Sequence, residues 1–227
     1  ATDSGIAYEL PYLQIGLSFC LSALVSLLIA YLIGRSFMAN GMPGLLLLGC
    51  GALFWGSAGV LAGIVTLIRD GYEHIDQNAL VTIHNICAWI SALCHLAGAA
   101  FSLRWRFTLS ISYFWLAMSF AIAFVTVALV VWMALSSWTP VFFIQGQGGT
   151  PVRQLVLGSA IAMFVFTAIL LRAMNHSRAS SFINWYSLAL LLLAVGLFGV
   201  MIQSVHSSLL GWAGRGAQFL GGVYMLA

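Results

Sequence analysis

The sequence contains no lysine, and its supply of fixed charge is small: eight arginines and five carboxylates in 227 residues, 6% charged, against roughly 25% in a soluble domain. So few charges cannot build a water-facing surface, which excludes a soluble enzyme. A nucleic-acid binder is excluded as well, because the surplus of three positive charges is spread along the chain instead of clustered. The missing lysine removes retinal held as a Schiff base, which needs a lysine amine. No ten-residue alternation of apolar and polar positions occurs, so an outer-membrane β-barrel is not expected. Cysteine is scarce too: Cys20, Cys50, Cys87 and Cys94 all lie in apolar runs, which points to packing and not to a disulfide framework.

What is present is apolar length. Hydrophobic residues make up 62% of the chain and mean hydropathy is +1.05. At about 20 residues per helical crossing, the length holds roughly seven. The apolar runs predict an all-α, seven-helix membrane bundle forming a single domain, with spans near 11–34, 43–68, 79–102, 108–134, 154–173, 184–204 and 209–227. Pro11 and Pro43 sit where a first helical turn tolerates a missing donor, and Thr150-Pro151 reads as an N-cap followed by the first helical residue.

Loop arginines set the expected orientation. The first, third and fifth connections carry Arg35, Arg104, Arg106, Arg172 and Arg178, whereas the even ones carry only Arg69 and Arg153. By the positive-inside rule the odd loops face the cytoplasm, with the amino end outside and the carboxyl end inside a plasma (inner) membrane. The run from 209 reaches Ala227 without closing basic residues, so a cytoplasmic continuation is expected. The first residue is not methionine, and the amino end is read as processed.

Ionisable groups at membrane depth usually face a bundle interior or a cavity. In the third span His84, Cys87, Ser91, Cys94 or His95, and Gly98 recur at steps of three and four and share one face. His84 and His95 lie about 16 Å apart along the axis at 1.5 Å per residue, so they cannot hold one metal ion together. His206 is expected level with His84 at the outer side. A small-ligand pocket is predicted from His84, Asn85, Gln203, His206, Trp212, Arg215 and Gln218. His84 and His206 are also candidate metal or axial haem ligands, and a structural hydrogen-bonding role is a further reading. For Arg215, possible partners are Glu9, the acids of the second loop, helix-end carbonyls or an anionic ligand; outward snorkelling is the alternative. The connection from Ser136 to Gln154 lacks the lysine and the preceding strand of a phosphate loop. Its Phe142, Phe143, Gln145 and Gln147 are expected to fold back as a lid, with interfacial anchoring by the aromatics as the competing reading. Ala52, Gly56, Gly59 and Gly63, and likewise Gly214, Ala217 and Gly221, mark close helix contacts.

Three stretches carry a resemblance. Residues Phe142 to Gln154 (FFIQGQGGTPVRQ), Trp185 to Leu190 (WYSLAL) and above all Leu210 to Tyr224, of the form GWxGRxxQxxGGxY, resemble the amino-terminal seven-transmembrane sensory region of multidomain PAS/histidine-kinase or diguanylate cyclase signalling proteins. The resemblance covers mainly the second half; Gly149 stands where the pattern has proline. It implies a sensor in signal transduction, of the two-component type, with a cytoplasmic PAS, kinase or cyclase output and a homodimeric assembly. It defines no ligand. The leading expectation is therefore a multi-pass sensory input module that detects a small extracytoplasmic or membrane-borne ligand and relays through the seventh helix. A redox protein holding haem b or interacting with quinone through His84, His95 and His206 is the alternative, and a transporter is disfavoured by the apolar span middles. No catalytic constellation is present, so no enzymatic role is expected of this stretch.

Overall fold

The structure is a computed structural model describing residues 11–68, 77–104, 108–110, 112–144, 147–175, 181–203 and 208–226. It begins with one unbroken helical run. Helix α1 (Pro11–Ser18) passes through a π-helical turn (Phe19–Leu24) into α2 (Val25–Asn40). The run extends beyond the expected stop at 34 because nothing breaks it before Gly41, which is left-handed at φ 64° and donates its N–H to the Phe37 carbonyl at 2.7 Å. Glycine takes that conformation without the steric penalty of a side chain. Helices α3 (Pro43–Ile68), α4 (Gln77–Arg104), α5 (Ser112–Leu135), α6 (Pro151–Asn175), α7 (Ser181–Ile202) and α8 (Leu209–Leu226) follow. A two-residue hairpin, β1 (Phe143–Ile144) with β2 (Gly148–Gly149), precedes α6.

Among the described residues, six stretches are long and apolar enough to cross a membrane: Leu13–Asn40, Pro43–Leu61, Gln77–Leu103, Ser112–Leu135, Pro151–Ala173 and Ser181–Ile202. This is a multi-pass, all-α membrane protein in contact with lipid. Helix α8 is not among them, because Arg215, Gln218 and five glycines dilute its apolar residues.

The helices close a ring. Helix α3 packs on α4, α4 on α6, α6 on α7 and α7 on α8, and α8 returns to α2 and the π-helical turn. Helix α5 stands outside, against α2, α3 and α4. Its buried residues Ala123, Val127, Val130 and Ala134 follow steps of four, three and four, a single stripe, while Phe124 on the far side is 59% exposed. An apolar surface of this kind is stable in hydrocarbon and not in water.

Small residues set the spacing within the ring. Gly56 and Gly59 receive Ser26 and Ser22 of the first helical run, and a methyl at Gly44 would meet the Gly98 carbonyl of α4 at 2.7 Å. Gly51 lies against the imidazole of His95, which is fully buried and donates Nδ1–H to the Ser91 carbonyl at 2.8 Å. That ring also meets Phe164 edge-on at 5.7 Å and stacks on Tyr186 at 6.0 Å, so it has no room to retreat. Gly51→Ala is expected to destabilise by about 1–3 kcal/mol through overpacking. Adding His95→Ala should recover part of the loss, a non-additivity that thermal unfolding of the two single variants and the double variant measures.

Candidate functional site

One end of the ring collects polar side chains from three helices and the α7–α8 junction, and local sequence explains how each arrives. On α4, Thr82, Asn85 and Trp89 lie at steps of three and four. The Trp89 indole donates to Ser159 Oγ of α6 at 3.0 Å, which turns this face toward α6. Asn85 is buried, its Oδ1 is 3.5 Å from His84 Nδ1, and its Nδ2 has no partner. His84 keeps some accessible surface and meets Trp55 of α3 edge-on at 6.3 Å.

Helix α6 starts with a cap. Thr150 Oγ1 accepts the Arg153 backbone N–H at 3.4 Å and donates its own hydroxyl to the Val141 carbonyl at 2.7 Å. Arg153 is then on the face that carries Leu157, Ala160 and Phe164, all fully buried, and is itself 0% exposed. The expectation of Arg153 as a loop cation, with the fifth span starting at 154, is thus corrected: the helix begins at Pro151 and its packed face takes the arginine inward. Its Nη2 donates to the Val200 carbonyl at 2.7 Å, in the last turn of α7, where carbonyls lack intrahelical partners. Its guanidinium lies 5.4 Å from the centre of the Phe143 ring. Nε and Nη1 are buried with no partner among the described residues.

The α7–α8 junction supplies the rest. Gly196 and Gly199 face Gly214 so closely that a methyl on Gly214 would meet the Gly196 carbonyl at 2.8 Å. This brings Arg215, in the second turn of α8, up to the end of α7. Arg215 is 9% exposed with its guanidinium 5.7 Å from the Trp212 ring centre, so it packs inward and does not snorkel. Gln203 is buried against Gly211 and Gln218, one turn beyond Arg215, is buried as well; Gln203 Oε1 and Gln218 Nε2 have no partner among the described residues. The charges of Arg153 and Arg215 act on each other, and both act on His84. All five carboxylates of the chain fall outside the described residues.

The hairpin sits beside this cluster. Phe142 and Phe143 are buried against Val81, Ile86 and Val156, and their backbone N–H groups donate to Asn78 Oδ1 at 2.8 and 3.0 Å. Gln147 is exposed, and Gln145 lies outside the described residues. His206 also lies outside them. Among the described residues no group of three or more His, Cys, Asp or Glu side chains converges. His84 and His95 occupy separate surroundings, the first beside Trp55 and the second among Phe164, Tyr186 and Gly51.

The structure therefore brings His84, Asn85, Gln203, Trp212, Arg215 and Gln218 to one end of the ring, and adds Arg153 and Asn78, which sequence reasoning missed. The signal for Arg153 was present: a cap at Thr150 places it in the first turn, four residues before Leu157 on a uniformly apolar face. Asn78 carried none, because its partners lie 64 and 65 residues away. No protein-family model, curated protein or solved structure matches the chain.

Proposed function

We propose that the chain is a membrane sensory input module whose ligand pocket is the polar end of the ring, covered by the Phe142–Phe143 hairpin. The observation that carries this reading is the convergence of Arg153, Arg215, His84, Asn85 and Gln203 from three helices and the α7–α8 junction in a largely apolar bundle. Buried polar groups at membrane depth are costly and usually mark a binding or transfer path. Two of these residues, Arg215 and Gln203, flank the junction of α7 and α8, so occupancy of the pocket bears directly on how α8 sits. In this reading the amino end is outside, α8 runs toward the cytoplasm and drives a PAS, kinase or cyclase output, and the signalling unit is a homodimer, as the resemblance implies. A ligand shifts such a device only by its difference in affinity for two arrangements, about 5.5 kcal/mol for a complete reversal from 1:99 to 99:1.

The test uses the protein in lipid nanodiscs. Unfolding temperature is scanned against a panel of small neutral and anionic solutes. For any stabilising solute, the distance between spin labels at lipid-facing Leu220 of α8 and Leu129 of α5 is then measured, after Cys20→Ser removes the exposed native thiol. The expected result is a stabilising solute that also changes this distance. A saturating, stabilising solute that leaves the distance unchanged would refute the relay.

A further inference from the structure

We infer that the pocket binds an oxyanion group, the chemistry shared by a carboxylate and a phosphate, with Arg153 as its principal anchor. This deepens the sensory reading and rests on that reading's pocket. Arg153 is the largest fully buried side chain among the described residues, and it is a guanidinium. Its hydrogen bond from Nη2 to the Val200 carbonyl and the Phe143 ring satisfy only part of it; Nε and Nη1 have no partner among the described residues. A guanidinium cannot relieve the cost by losing its proton in a protein, and a buried charge without compensation costs several kcal/mol. An anion answers this cost, because it neutralises the buried charge and accepts from planar N–H groups. Asn85 Nδ2, which has no partner among the described residues, is a further donor for such a group. A neutral solute could satisfy the donors but would leave the Arg153 charge uncompensated.

An oxyanion could come from solution, from a lipid headgroup, or from the chain's own Asp3, Glu9, Asp70, Glu73 or Asp76, and one experiment separates these sources. Unfolding of the protein in zwitterionic nanodiscs is followed with sodium phosphate or sodium acetate against sodium chloride at matched ionic strength, and repeated in nanodiscs containing an anionic phospholipid. The expected result is a saturable rise of several degrees with phosphate or acetate, or with the anionic lipid, that is lost in Arg153→Gln. Which arm responds identifies the source. Should Arg153→Gln not fold, Gln203→Glu provides a second reading: a carboxylate at the α7–α8 junction, three residues beyond the Val200 that accepts from Arg153, should raise the unfolding temperature without added anion and abolish the response. No response in any arm together with a destabilised Gln203→Glu would overturn the inference. So would a variant with all five carboxylates neutralised that loses as much stability as Arg153→Gln and shows no further loss when the two are combined, since the partner would then be intrinsic. If the anions fail while a neutral solute stabilises the protein and moves α8, the sensory reading stands and the anion assignment falls. If an anion binds and α8 does not move, the reverse holds.

Discussion

Gly214→Val is expected to lower the unfolding temperature by several degrees, whereas Gly216→Ala, two residues along the same helix, should leave it unchanged or raise it. A methyl on Gly214 would meet the Gly196 carbonyl at 2.8 Å and the Val200 backbone nitrogen at 3.2 Å. Both are backbone atoms of α7 that cannot swing aside, so the two helices must separate. Overpacking of this kind costs about 1–3 kcal/mol, and near that size each kcal/mol moves the transition by about 2–4 °C in a chain of 150–250 residues. At Gly216 the added methyl meets nothing within 4 Å, so only the higher helix propensity of alanine remains, worth about 1 kcal/mol. Parallel melts of the two variants in one lipid composition make the comparison. Because parting α7 from α8 draws Arg215 away from the end of α7, the valine variant should also lose the anion response, while the alanine variant, which leaves the packing intact, keeps it.

The second large effect lies at Asn78. Asn78→Leu removes the acceptor for two backbone N–H groups, those of Phe142 and Phe143, in a partly buried position. Each group left unsatisfied costs about 1–3 kcal/mol, and the hairpin has only two residues in each strand to hold it together. Amide hydrogen exchange at 142–150 is expected to accelerate by one to several orders of magnitude, with little change at Leu190 or Leu193 in the buried core of α7. Asn78→Asp keeps an acceptor oxygen at the same place and should restore most of the protection. Unchanged exchange in Asn78→Leu would mean that the Phe142 and Phe143 side chains alone hold the segment.

Much of the helical architecture was legible because membrane helices follow one-dimensional rules. Apolar length located α3 to α7 to within a few residues, and Thr150-Pro151 marked the start of α6 because capping is local chemistry. The glycines at 56, 59, 214 and 221 pointed to close approaches that the structure contains, since small residues have few other uses between packed helices. The polar end was legible residue by residue and not as an assembly. Positive-inside counting treats every arginine near an apolar run as a loop cation, and so it placed Arg153 in water; only the packed face of α6 reveals that it turns inward. Asn78 could not be read at all, because its role depends on a segment more than sixty residues away. The π-helical turn at Phe19–Leu24 is equally silent in the sequence, where PYLQIGLSFCLSAL reads as ordinary helix.

That turn has a mechanical consequence. At its end the Val25 N–H reaches the Ser22 carbonyl, and the Leu21 carbonyl would come within 2.9 Å of a methyl on Gly222 of α8. The hoop of helices is thus fastened, at its last joint, by the stave that carries Arg215 and Gln218, seated on a locally overwide coil. Stress from detergent or from bilayer thinning should spring the hoop at this joint first, before any of the tighter seams between the other staves.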